Sequence, residues 1–91
     1  MQARAHVIFS GKVQGVWFRA NCEKKAVEVG VFGWVRNLPD GAVEALFEGN
    51  KEKIETVINW CSHYQPYARV DDAKVEWGEY KGEYKRFEVR R

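Results

Sequence analysis

Two cysteines in 91 residues, Cys22 and Cys61, are too few and too far apart for a Cys-x-x-Cys pair, and neither has a histidine at zinc-ligand spacing. No structural metal is expected. Charge of one sign is also missing: 15 lysines and arginines are interspersed with 13 acidic residues, a net charge of +2. That balance lacks the one-sided field of a dedicated nucleic-acid binder, so no nucleic-acid partner is expected. No stretch approaches the ~20 apolar residues of a membrane span, and the start, "MQARAHVIFSG", has no apolar core of a secretory signal. These absences lead us to expect a soluble, cytoplasmic protein with two reduced, half-buried thiols rather than a disulfide. Repeats, low-complexity runs and Ser/Gly linkers are missing as well, so residues 1–91 are read as a single domain, acting as a monomer. A 45% hydrophobic composition is enough for one core.

What is present falls into short periodic blocks. Ala3, Ala5, Val7 and Phe9 alternate with Arg4, His6, Ile8 and Ser10, the period of a strand with one buried face. From Phe18 the period becomes helical, with Phe18, Cys22, Ala26 and Val29 on one stripe and Gly30 as the C-terminal cap. "VFGWVRNL" and "AVEALFE" flank the turn "PDG", which predicts an antiparallel hairpin with Val43, Ala45 and Phe47 inward and Glu44, Leu46 and Glu48 outward. Asn50 is placed to cap a second helix bearing Ile54, Val57, Ile58 and Cys61 on its buried stripe and ending near Tyr64. "AKVEWGEY" and the short "RFEVRR" complete the pattern as a fourth strand and a short extra C-terminal one. The order βαββαβ predicts a ferredoxin-like α+β sandwich, two helices on one face of an antiparallel sheet.

The stretch "GKVQGVWFR", Gly11 to Arg19, occupies the turn from the first strand into the first helix. Helix N-termini present unpaired N–H groups and a partial positive charge, and a glycine-rich approach lets those groups converge on one point. Arg19 adds a planar fork that matches phosphate oxygens. The loop lacks the Gly-Lys-Ser/Thr ending of a nucleotide P-loop, and Cys22 lies on the core stripe rather than in the loop, which argues against a covalent phosphoenzyme. Asn37, at the end of the second strand, falls within reach of that loop in this topology and carries the donor and acceptor needed to hold a water. Trp17 is expected as a surface-packed side chain, Lys12 as a solvated one, and Trp34, Trp60 and Trp77 at the core or its edge.

Together, "GKVQGVWFR" and "GWVRNLPDGAVEALFEG" resemble the paired signatures of acylphosphatases, with the Val-Gln-Gly-Val run ending in Phe-Arg and Gly41, Val43 and Gly49 at the family's spacing. The resemblance extends over nearly the whole chain. It implies hydrolysis of acyl phosphates without metal, cofactor or phosphoenzyme. By the same resemblance, Arg19 and the backbone N–H groups of Gln14, Gly15, Val16, Trp17, Phe18 and Arg19 bind the phosphoryl group, and Asn37 orients the attacking water. Two alternatives share the fold: a non-catalytic anion-binding module and an RNA-binding one. "GVFGWV" is faintly similar to the aromatic strand of RNA-recognition motifs. In those domains, however, the longer aromatic motif is on strand three, where this chain has only Phe47.

Overall fold

The computed structural model describes all 91 residues. Strand β1 (Gln2–Lys12) leads to helix α1 (Phe18–Val29), the hairpin β2 (Phe32–Asn37) and β3 (Val43–Asn50), helix α2 (Lys51–His63), β4 (Arg69–Gly78) and β5 (Phe87–Arg90). The strands form one sheet in the order β4-β1-β3-β2-β5. Pairing is antiparallel except at the end, where β5 runs parallel to β2. The expected ferredoxin-like sandwich is therefore present, and the extra C-terminal strand makes its five-stranded sheet mixed.

Alternation in β1 sorts the side chains as expected: Ala5, Val7 and Phe9 are fully buried on the helix side, and their β3 partners Phe47, Ala45 and Val43 extend the same layer. Over that layer, α1 buries Phe18, Cys22 and Ala26, and α2 buries Ile54, Val57 and Cys61. Phe18 meets Phe9 edge to face, ring centroids 5.1 Å apart, so the first helical residue is fixed by the core. Asn50 caps α2 by accepting from the Lys53 N–H at 3.2 Å. Gly30 ends α1 in the left-handed region and donates its N–H to the Ala26 carbonyl at 2.8 Å. No helix is long and apolar enough to cross a membrane.

The thiols are more deeply placed than expected. Cys22 and Cys61 are fully buried, and their Sγ atoms meet at 2.9 Å between the helices, with the Gln65 amide donating to Cys22. Burial, helped by the Cys61 contact, pushes the Cys22 thiol well above its ordinary pKa, so it stays protonated. Strand β4 also begins earlier than the Ala73 that periodicity suggests, at Arg69, and shifts register against Ser10 and Gly11 between Val70 and Asp72. Trp77, expected at the core or its edge, is instead exposed (41%), with the Lys51 ammonium 5.2 Å from its ring centroid.

Strand β5 is docked by an aromatic pair that spans a glycine. Gly33 is in register with both Phe47 on β3 and Phe87 on β5, and those two rings stack with centroids 5.5 Å apart. A Cβ at Gly33 would fall 1.8 Å from the Leu46 carbonyl oxygen, and its φ of 136° is one that L side chains rarely adopt. The glycine therefore permits both the close strand approach and the docking of β5.

The opposite face of the sheet is not simply solvated. Glu48, outward by alternation, is only 1% exposed, because its carboxylate accepts the N–H groups of Lys81 and Glu83 at 2.8 and 2.9 Å and pairs with Arg4. It ties the 79–86 segment to the sheet. Burial alone would raise its pKa, but the two N–H donors and the Arg4 guanidinium outweigh that effect and hold the carboxyl below the ordinary range. A lowered folded value means that the unfolded chain takes up the proton first on acidification. The contribution to stability is thus full above the ordinary carboxylate pKa and lost as pH falls through the folded value. Removing the charge with Glu48→Gln weakens bonds of the charged class, each about 1.5–3 kcal/mol. The variant is expected to unfold roughly 5–15 °C lower at neutral pH, with a smaller deficit near pH 3, as thermal melts followed by circular dichroism at the two pH values will show.

Candidate active site

Strands β1 and β2 both pair antiparallel with β3, and β5 runs parallel to β2, so β1, β2 and β5 end at the same edge of the sheet. The N-terminus of α1 lies at that edge too, because only five residues separate it from β1. A cavity of about 600 Å³ opens there, lined by residues of the loop and α1, by Asn37, and by Glu88, Val89 and Arg91 of the C-terminal segment. Topology therefore brings Arg19 and Asn37, 18 positions apart in sequence, to the lining of one cavity.

The loop has an alternating backbone. Gly15 (φ 73°) and Trp17 (φ 63°) are left-handed, while Val16 and Phe18 are not. Alternation of this kind turns successive N–H groups toward one side, the geometry of an anion-binding nest. The N–H groups of Gln14, Gly15, Val16 and Trp17 donate to no backbone or side-chain acceptor in the protein. No atom stands within 4 Å of where a Gly15 Cβ would project, so glycine is suited there by its φ and not by crowding. Val16 and Phe18 are 8% and 1% exposed, so their side chains anchor the loop in the core and leave only their backbones to face a ligand.

Arg19, the second residue of α1, forms no ion pair with any carboxylate. Its Nη1 donates to the Arg90 carbonyl at 2.9 Å, and Nε and Nη2 remain for a ligand. The Asn37 side chain is exposed, bordering the cavity, and makes no hydrogen bond within the protein. Gln14 has a second role that its place in the loop did not disclose: its side-chain amide donates to the Leu38 and Ala42 carbonyls at 2.8 and 2.9 Å. One side chain thus clamps the phosphate-loop candidate to the hairpin that carries Asn37.

Three charged wall residues escaped sequence reasoning. Glu23 is one helical turn beyond Arg19, a spacing that could have suggested it. Glu88 and Arg91 arrive on β5 and just after it, and nothing local in the sequence signals that this strand docks beside β2. Trp17, expected to pack on the surface, is instead 75% exposed and borders the cavity. Lys12 belongs to the end of β1, paired with Arg69, and not to the loop. The histidines lie elsewhere: His6 meets Glu44 at 2.6 Å on the open sheet face, and His63 packs edge to face with Tyr64 at the end of α2. No three His, Cys, Asp or Glu side chains are grouped as a metal site would require.

An α+β sandwich with unpaired N–H groups, an unneutralised arginine and a free carboxamide around one cavity defines a ferredoxin-like domain suited to a phosphoryl group. The protein-family model for acylphosphatase matches residues 5–89. The acylphosphatase of Pelotomaculum thermopropionicum is 48% identical over 88 residues, covering 97% of this chain and 96% of its own length. That of an Anaeromyxobacter species is 51% identical over 88 residues, covering 97% and 95%. The crystal structure of acylphosphatase from Bacillus subtilis matches over the full length of both chains with a TM-score of 0.93 at 30% identity. The chain belongs to the acylphosphatase family.

Proposed function

We propose that the chain hydrolyses the carboxyl-phosphate bond of small acyl phosphates by direct attack of a held water, with no metal and no phosphoenzyme. The N–H groups from Gln14 to Arg19 and the free edge of the Arg19 guanidinium receive the phosphoryl oxygens, and Asn37 holds the water in line. Water oxygen bonds to phosphorus as the bond from phosphorus to the acyl oxygen breaks. A carboxylate leaves, and a phosphoryl oxygen takes the water's proton. Little covalent chemistry is asked of the protein, since phosphoryl transfer is catalysed mainly by positioning and charge stabilisation. The observation that carries this reading is the row of four unpartnered N–H groups beside an arginine that no carboxylate neutralises. We read the chain as a cytoplasmic monomer in which the buried thiols of Cys22 and Cys61 stay reduced.

Steady release of inorganic phosphate from acetyl phosphate in excess chelator is the expected result. Binding of inorganic phosphate without turnover would instead make the chain a non-catalytic anion-binding module, and turnover abolished by the chelator would overturn the metal-free route.

A further inference from the structure

Residues 13–17 and the hairpin end at 37–42 carry the two halves of the proposed chemistry, yet no strand pairing joins them. Strand β3 lies between β1 and β2 in the sheet, and no backbone hydrogen bond runs from residues 13–17 to residues 37–42. The only hydrogen bonds that cross this gap come from the Gln14 side chain, whose amide nitrogen donates to the Leu38 and Ala42 carbonyls at 2.8 and 2.9 Å.

Those carbonyls do not need Gln14 for their own satisfaction. Leu38 already accepts the Gly41 N–H at 3.2 Å, and Ala42 accepts the Leu38 N–H at 2.8 Å, so each keeps a donor if Gln14 is removed. The amide adds a second bond to each, and both of its protons are used. What these two bonds do is hold the loop against the hairpin. Asn37 immediately precedes Leu38 and pairs with Val43 at the last rung of that hairpin. Its carboxamide, bonded to nothing else in the protein, is placed only by the backbone that carries it. A shift of that backbone relative to the N–H row would move a held water off the line of attack, and a misplacement of about 1 Å can cost roughly 10²-fold in rate.

We infer that Gln14 is a positioning residue: its side-chain amide sets the place of Asn37, and so of the attacking water, relative to the phosphoryl group held by the loop. This rests on the proposed mechanism, in which Asn37 orients the water. Gln14→Met removes both donors at similar length, Gln14→Ala removes them without adding apolar bulk, and both keep the backbone N–H. Each is expected to lower kcat for acetyl phosphate about 10- to 100-fold, while the inhibition constant of inorganic phosphate stays within about threefold. In the Asn37→Ala background, where no water is held by that side chain, Gln14→Met is expected to cost less than about threefold in kcat. A role confined to holding the loop's shape would instead weaken phosphate binding and act equally in both backgrounds. Phosphate affinity falling in step with kcat, an undiminished loss in the Asn37→Ala background, or kcat within about threefold of the parent in both single variants overturns the role of Gln14. A parent that fails to turn over acetyl phosphate, or Asn37→Ala at the parent rate, overturns the underlying mechanism, and the role of Gln14 with it.

Discussion

Arg19→Lys is expected to lower kcat/KM for acetyl phosphate by a factor on the order of 10²–10³, the loss that follows removal of one preorganised donor from a charge-stabilising site. The charge is conserved; the geometry is not. Guanidinium can donate through Nη1 to the Arg90 carbonyl while presenting Nε and Nη2 as a parallel fork to two phosphoryl oxygens. Lysine offers one ammonium on a flexible stem and cannot serve the carbonyl and both oxygens together. Arg19 sits half-exposed on the first turn of α1 and forms no ion pair, so the variant should melt close to the parent and the loss will read as chemistry. Hydrolysis within threefold of the parent rate would remove Arg19 from the site.

Asn37→Ala is expected to reduce kcat by about 10²-fold while the competitive inhibition constant for inorganic phosphate changes no more than about threefold. The separation follows from the division of labour. In the proposed mechanism phosphate binds through the N–H row and Arg19, whereas the Asn37 carboxamide, bonded to nothing in the protein, positions the nucleophile. Asn37 is exposed at the end of β2, and its backbone pairing with Val43 survives the change. If phosphate affinity fell in parallel with kcat, Asn37 would be a phosphate ligand and not a holder of water.

Arg19 and Asn37 were singled out in the sequence by the resemblance of the two stretches that carry them, and local chemistry added a reason only at the helix start that holds Arg19. A glycine-rich exit from a strand followed by an arginine on a helix start has an electrostatic meaning before any tertiary contact is known. Their partners could not be read in this way. The Gln14 clamp depends on two carbonyls, Leu38 and Ala42, that lie 24 and 28 positions away. The Arg90 carbonyl that steadies Arg19 depends on β5 docking beside β2, which is governed by the Phe47–Phe87 stack over Gly33. Glu48 shows the same limit on the other face. Alternation assigned it outward correctly, and only the return of the 79–86 segment makes outward a buried position.

The order of elements, the inward faces of β1 and β3, and the caps at Gly30 and Asn50 were properties of the sequence by itself. Each rests on periodicity or on backbone preferences acting within a few residues. The tertiary structure alone decided that three strands end at one edge, that β5 brings Glu88, Val89 and Arg91 to the cavity, and that the indole of Trp17 stands open beside it. Those outcomes depend on contacts between residues distant in the chain, where packing and strand order outweigh local preference.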